Sequence, residues 1–170
     1  MSEDRDILAN RRSKHATWAG SGKPYRNDFR REALAAELHQ RFADQDKASL
    51  AEMAVTTAVT GRVMLRRVMG KASFVTLQDS SGQIQCYLTK NDLGDAEYEQ
   101  FNQLWEMGDI VGVHGKLMRT NKGELSVHAQ SIVLLNKTML PLPEKFHGVT
   151  DQEIRYRQRY LDLIANEESR

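Results

Sequence analysis

From Val55 onward, apolar and polar residues alternate with a period of two, and this pattern constrains the fold more than any other feature of the chain. Alternation of this kind predicts β-strands that bury one face. Three such stretches precede a helical interlude at about residues 91–106, and two follow it. The apolar members are Val59, Gly61, Val63 and Leu65, then Val75 and Leu77, then Ile84, Cys86 and Leu88, then Val111, Val113 and Leu117, and finally Leu125, Val127 and Ala129.

Turn-forming residues separate neighbouring stretches at Asp79–Gly82 and at Thr120–Gly123. The order of three strands, one helix and two strands within residues 55–135 is that of the OB-fold, a five-stranded Greek-key barrel. An SH3-like barrel lacks the helix, and a β-sandwich needs more strands. The sequence therefore predicts a mainly β protein with flanking helices, in which an OB-fold barrel is preceded by N-terminal helices.

The segment before the predicted barrel has a helical pattern. Its basic first part is broken at Gly20–Pro24, where glycine permits turns and proline removes a backbone donor. Leu34, Leu38 and Phe42 then recur at helical spacing, which predicts an amphipathic helix from Arg30 to about Ala43.

The segment after the barrel predicts an extended linker over residues 136–149 and then a helix. Thr150–Glu153 has the pattern of a capping box that opens this helix. Its predicted buried stripe consists of Ile154, Tyr160, Leu161 and Ile164. We therefore divide the chain into an N-terminal helical segment (1–54), the barrel (55–135), and a linker with a first following helix (136–170).

Charge and cysteine content limit the kinds of site that the chain can carry. With 24 basic and 23 acidic side chains, the net charge of +1 disfavours indiscriminate DNA binding, so any nucleic-acid site must be local. The single cysteine, Cys86, excludes an internal disulfide and a multi-cysteine zinc site. The histidines show no spacing typical of metal ligands, and we expect no metal site.

Targeting and catalytic patterns are missing from the sequence. No segment resembles a secretory signal or a membrane-spanning helix, so we expect a cytoplasmic protein without a membrane partner. The Gly-Lys pairs lack the spacing of a phosphate-binding loop, and no nucleophile elbow is present. We therefore expect no catalytic residue in these 170 residues.

The alternation also predicts which side chains face outward from the barrel. These are Phe74, Gln85 and Tyr87 on the second and third strands, and Glu124, Ser126 and His128 around the fifth. The predicted first loop, Arg66–Lys71, adds three cations and no acid. Because OB-folds bind oligonucleotides on strands two and three and on adjoining loops, we expect a site for single-stranded nucleic acid here.

The chemistry of these side chains suits an unstacked base. An exposed ring such as Phe74 offers a π-face that is worth about 1–3 kcal/mol per stacked base. Arg67, Gln85 and Glu124 supply the donors and the acceptor that the edge of uracil requires. A plainer interpretation stays open, in which Phe74 packs under the N-terminal helix and Lys71 is a solvated surface charge.

Several segments resemble the bacterial lysyl-tRNA synthetase family, from about residue 27 to the end of the chain. These segments are Asn27–Arg31, Arg66–Asp79, Lys122–Ser126, Pro141–Gly148 and Tyr156–Leu163. The resemblance implies a class II anticodon-binding OB domain that recognises the U-rich anticodon of lysine tRNA. The family's stacking phenylalanine falls on Phe74, and its base-recognising residues fall on Arg67, Gln85 and Glu124. Secondary candidates for the site are Arg66, Lys71 and Tyr87.

The resemblance also implies what a longer protein does. In the family, a catalytic domain activates lysine with ATP and Mg²⁺ and attaches it to the tRNA, and the whole enzyme is a homodimer. The family's catalytic motifs lie beyond Arg170, so we expect these residues to be inactive alone and to hold no cofactor. Two alternatives remain, namely a general single-strand-binding OB protein and a protein-interaction module.

Overall fold

The structure is a computed structural model that describes residues 2–143 and 149–170. The chain forms two compact units, Met1–Met139 and Leu140–Arg170, and each is described by itself. Part of the predicted linker and of the Pro141–Gly148 resemblance, residues 144–148, lies outside the described residues. In the described part of the chain, every helix is too short or too polar to cross a membrane.

Three helices precede the barrel: α1 (Ser2–Gly20), α2 (Ala35–Arg41) and α3 (Lys47–Met53). The break predicted after α1 is confirmed. Helix α2 begins at Ala35 and not at Arg30, because the preceding backbone is extended and Glu32 N donates to Ala58 O at 2.9 Å. Helix α3 was not predicted, although Asp46 caps it by accepting a hydrogen bond from the Ser49 amide.

Five strands form the closed barrel that the sequence predicts. They are β1 (Thr56–Met69), β2 (Ala72–Gln78), β3 (Gln83–Thr89), β4 (Ile110–Arg119) and β5 (Leu125–Asn136). Neighbouring strands pair in the order β1-β2-β3-β5-β4, and the β3–β5 pair is parallel while the others are antiparallel. This arrangement confirms the OB-fold, and closure protects the strand edges.

The barrel interior holds most of the apolar side chains that the alternation selects. Val75, Cys86, Val113 and Val127 are fully buried, and burial strongly raises the pKa of the Cys86 thiol. The helical interlude forms two helices, α4 (Lys90–Leu93) and α5 (Asp95–Leu104), and α5 adds Phe101 to the same core.

An irregularity in β1 decides which of its side chains face outward. The register pairs Val63 with Leu77 but Leu65 with Thr76, so that Met64 is the extra residue of a bulge. Met64 is therefore 5 % exposed and Leu65 is 37 % exposed. The prediction that Leu65 faces the interior is wrong, because a bulge reverses the faces of the residues that follow it.

The first predicted loop is also corrected. Strand β1 continues through Arg66, Arg67 and Val68 to Met69, so most of the predicted loop is strand. Only Gly70 and Lys71 connect β1 to β2, and Gly70 takes a positive φ of 67° that glycine adopts without strain.

A group of charged side chains lies at one end of the barrel and includes Lys14 and Arg11 of α1. Lys137 Nζ lies 2.7 Å from Asp109 Oδ2, and both side chains are fully buried. Glu106 accepts a hydrogen bond from Lys14 Nζ at 2.9 Å, and the guanidinium of Arg11 donates to the Thr138 carbonyl at 2.9 Å. The backbone beyond β5 is thus held against the barrel through Thr138.

The second unit contains α6 (Gln152–Arg157), α7 (Arg159–Ala165) and a short 3-10 helix, Glu167–Ser169. Asp151, one residue after the predicted Thr150, caps α6. The predicted buried stripe is wrong, because the helix is interrupted at Gln158 and Ile154 and Tyr160 are exposed. The buried side chain in α7 is Asp162, which pairs with Arg155 and Arg159.

Candidate nucleic-acid interface

Strand register places Arg67 and Phe74 next to each other on the outer face of the barrel. Arg67 pairs with Phe74 across β1 and β2, and Phe74 pairs with Tyr87 across β2 and β3. The rings of Phe74 and Tyr87 have centroids 4.9 Å apart at an interplanar angle of 35°. Phe74 is half-buried, so its ring lies at the surface, supported on one side by Tyr87.

Gln85 lies beside this pair on β3, and its amide is oriented by a serine on β5. Gln85 pairs with Ser126 in the parallel β3–β5 ladder, and the Ser126 hydroxyl donates to Gln85 Oε1 at 2.9 Å. The bond occupies the amide oxygen and leaves the NH₂ group as the donor that can meet a ligand. Ser126 lies on the outer side of the barrel, as the alternation predicts, but its side chain is fully buried beneath this contact.

Glu124 is exposed and stands at the start of β5, on a tight turn. Thr120 N donates to the Glu124 carbonyl at 3.0 Å, and Glu124 N donates to Thr120 Oγ1 at 3.1 Å. Gly123 has a φ of 85°, a conformation that a residue with a side chain rarely adopts. These bonds fix the backbone at Glu124, so its carboxylate projects from a defined point.

One open groove of about 500 Å³ on the barrel surface is lined by four of the predicted site residues, Arg67, Phe74, Gln85 and Glu124. Its walls come from the end of β1, from β2 and β3, and from the β4–β5 turn. The lining residues are Arg67, Met69, Phe74, Gln85, Thr120, Asn121, Lys122 and Glu124. The groove therefore presents an aromatic ring, two amides, a carboxylate and two cations within one depression.

The secondary candidates lie outside this groove. Tyr87 supports Phe74 from the next strand, and Lys71 is exposed in the β1–β2 turn. Arg66 pairs with the buried Val75 and lies 4.7 Å above the Phe101 ring, where its guanidinium donates to Asn102 O at 3.0 Å. Desolvation lowers the pKa of Arg66. The structure therefore places Arg66 against α5 and away from the groove.

Sequence reasoning missed Met69, Thr120, Asn121 and Lys122 as lining residues. Pairing the predicted β4–β5 turn with the end of β1 would have found them, since OB-folds use these connections for binding. Arg119 was also missed: its guanidinium donates to the carbonyls of Gln45 and Gly123 and so fixes this turn against the segment before α3.

Side chains that could ligate a metal ion do not cluster in the part of the chain that the structure describes. There, no three or more histidine, cysteine, aspartate or glutamate side chains converge as metal ligands do. The groove instead offers hydrogen-bonding groups and a ring face, which are the functions that bind unpaired bases.

Comparison with known families agrees with this geometry. Residues 57–135 match the tRNA anticodon family model, which is described as an OB-fold nucleic acid binding domain. The match spans the barrel, which is thus similar to the OB domain of this family. The matched residues include every residue that lines the groove and all five strands except Thr56 at the start of β1 and Asn136 at the end of β5.

The chain that contains this OB domain is homologous to lysine–tRNA ligases of bacteria. It is 55% identical over 163 residues to the enzyme of Aeromonas hydrophila, which covers 96% of this chain and 32% of the relative. It is 53% identical over 169 residues to the enzyme of Burkholderia cenocepacia, with 99% of this chain and 33% of the relative covered. The chain thus spans about a third of the length of these relatives.

Proposed function

We propose that the OB domain binds the anticodon loop of a tRNA, and that its ligand is lysine tRNA with its U-rich anticodon. The observation that carries the proposal is the groove in which Phe74, Arg67, Gln85 and Glu124 come together. The family match supports a nucleic-acid ligand, and the names of the relatives support the choice of lysine tRNA.

Each side chain has a role in this proposal. Phe74 stacks on one unpaired base, because a ring face at the surface binds any base by its π-system. Arg67 and the NH₂ group of Gln85 donate to uracil carbonyls, and the Glu124 carboxylate accepts from uracil N3–H. Lys71 and Lys122 contact neighbouring phosphates.

We further propose that the chain acts as part of a lysine–tRNA ligase in the cytoplasm. In that protein a catalytic domain attaches lysine to the tRNA with ATP and Mg²⁺, and two copies form a homodimer. The 170 residues contribute recognition and no catalytic group. Within them, residues 1–54 support the barrel, residues 55–135 bind the anticodon and residues 136–170 lead toward the catalytic domain.

A direct test is the binding of a lysine-anticodon stem-loop by the Phe74→Ala variant. The loss of one base stack should weaken binding by about 1–3 kcal/mol, measured by fluorescence anisotropy. Tyr25→Ala is a suitable control, because this exposed aromatic side chain lies outside the barrel and should leave the affinity unchanged. Equal affinities for wild type and Phe74→Ala would remove Phe74 from the site.

Competition between loops separates the proposal from the two alternatives. Anticodon recognition predicts that a U-rich loop displaces the labelled stem-loop far better than a C-rich loop of the same length. A general single-strand binder predicts similar displacement by both loops and a steep dependence on salt. A protein-interaction module predicts that the chain self-associates or binds a protein and that RNA has no effect.

A further inference from the structure

The row of outward-facing residues that begins with Phe74 and Tyr87 continues across two more strands, and ring contact continues as far as His128. Tyr87 pairs with His128 of β5, and His128 pairs with Lys116 of β4. The rings of Tyr87 and His128 have centroids 5.1 Å apart at an interplanar angle of 56°. Phe74, Tyr87, His128 and Lys116 therefore form one row, which we call the outer row, that runs from the groove around the barrel surface.

The far end of the outer row has a depression of its own. It measures about 170 Å³ and is lined by Asp92, Lys116, His128, Ala129 and Gln130. A ring, an amide and a cation meet there, as Phe74, Gln85 and Arg67 do in the groove. The two ends of the row thus offer similar binding groups, with Tyr87 between them.

The His128 ring is held in place from the side of α4. His128 Nε2 lies 2.9 Å from Asp92 Oδ2, and Asp92 also accepts a hydrogen bond from the Thr89 hydroxyl. These two bonds lower the pKa of Asp92 and so keep its carboxylate ionised. The bond to His128 Nε2 also orients the imidazole ring. A fixed ring loses little conformational entropy when a base stacks on it.

We propose that this depression is a second nucleotide subsite, which takes a nucleotide that flanks the anticodon triplet. The base stacks on His128 and meets the Gln130 amide, and its phosphate lies beside Lys116. The Asp92 carboxylate repels phosphate and so directs the backbone toward the Lys116 side. The inference rests on the proposed function, because the flanking nucleotide reaches the depression only when the anticodon triplet is bound in the groove.

Two seven-nucleotide RNAs of equal charge test the subsite. One carries three uridines at its centre between ordinary nucleotides, and the other has abasic residues at the flanking positions. His128→Ala should weaken binding of the intact RNA about tenfold, the value of one base stack, and leave the abasic RNA unaffected. His128→Phe keeps a ring and should retain most of the affinity. Lys116→Ala should weaken both RNAs by the same factor, since both keep their phosphates.

The control variant removes a different imidazole of the barrel. His114→Ala removes an imidazole from β4 outside the depression and should change neither affinity. The inference is overturned if His128→Ala weakens both RNAs equally, since the outer row then acts only by supporting Phe74. Unchanged affinity of His128→Ala for the intact RNA also overturns it. If the wild-type chain binds neither RNA, the proposed function itself fails.

Discussion

Glu124 is the single carboxylate among the described side chains that line the groove, and its position beside cations and amides bears on base selectivity. A carboxylate repels phosphate but accepts strongly from a ring N–H, so it is suited to recognise a base edge. We predict that Glu124→Gln lowers discrimination between uridine and cytidine at one anticodon position more than it lowers overall affinity. Anisotropy titrations with single-base variants of the stem-loop measure both quantities. An equal loss for every base would contradict this role, and Glu99→Gln on the exposed side of α5 serves as the control.

The stability of the barrel depends on two elements of the fold, the β4–β5 strand pair and helix α1. A side chain at Gly115 would place its Cβ atom 2.0 Å from the His128 carbonyl oxygen, beside the register shift that follows His114. Because backbone cannot move aside cheaply, we predict that Gly115→Ala lowers the free energy of unfolding by about 3 kcal/mol. Urea denaturation checks this value. Gly82→Ala has open space around it and should change stability by less than about 0.5 kcal/mol.

The second element is α1, whose residues Arg11 and Lys14 pair with the Glu106 carboxylate. Burial tends to raise the pKa of Glu106, but the hydrogen bond from Lys14 and the charges of Lys137 and Arg11 outweigh it and lower the pKa. A carboxyl whose pKa is lower in the folded state stabilises the fold above its unfolded pKa of about 4.3, and this stability is lost as the pH falls through the folded value.

We therefore predict that the difference in unfolding free energy between wild type and Glu106→Gln is largest near pH 7. It should narrow as the pH falls below about 5, because the wild-type carboxylate then becomes protonated. Denaturant titrations at several pH values provide the measurement. A difference that stays constant from pH 7 to pH 3 would show that Glu106 acts by shape and not by charge.

At the scale of the whole molecule, a net charge of +1 limits how steeply the affinity for RNA falls as the salt concentration rises. Three lysines are assigned to phosphates in the proposals above, namely Lys71 and Lys122 in or next to the groove and Lys116 in the second depression. Each phosphate contact to a single strand contributes a slope of about −0.7 in a plot of log affinity against log salt, so we predict a total slope of about −2. Lys122→Ala should make the slope shallower by about 0.7. A wild-type slope steeper than about −5 would indicate general electrostatic binding.

Much of this architecture was predictable from the sequence, because alternation reports which face of a strand is buried. Phe74, Gln85 and Glu124 lie close together in the structure, as that pattern and the family resemblance led us to expect. Their roles in binding stay predictions. Leu65 and Arg66 deviate, since a bulge at Met64 changes the register through backbone geometry that no side-chain pattern reveals.

Other features were beyond the sequence pattern for different reasons. Ser126 is polar and lies on the outer side, yet it is buried by its bond to Gln85 on a strand that is distant in the chain. The predicted stripe at Ile154 and Tyr160 fails because the helix is interrupted at Gln158, where the pattern shows no glycine or proline. Long-range partners and local interruptions of this kind are set by tertiary structure and not by periodicity.

The burial of Cys86 at the centre of the barrel has a practical consequence. It is the only thiol of the chain, it is completely shielded from solvent and its protonated form is favoured. An alkylating reagent reaches it only when the strands separate, because the thiolate is the reactive species and needs access to water. Labelling of this one atom, followed by mass spectrometry, therefore counts transient openings of the barrel without any engineered probe.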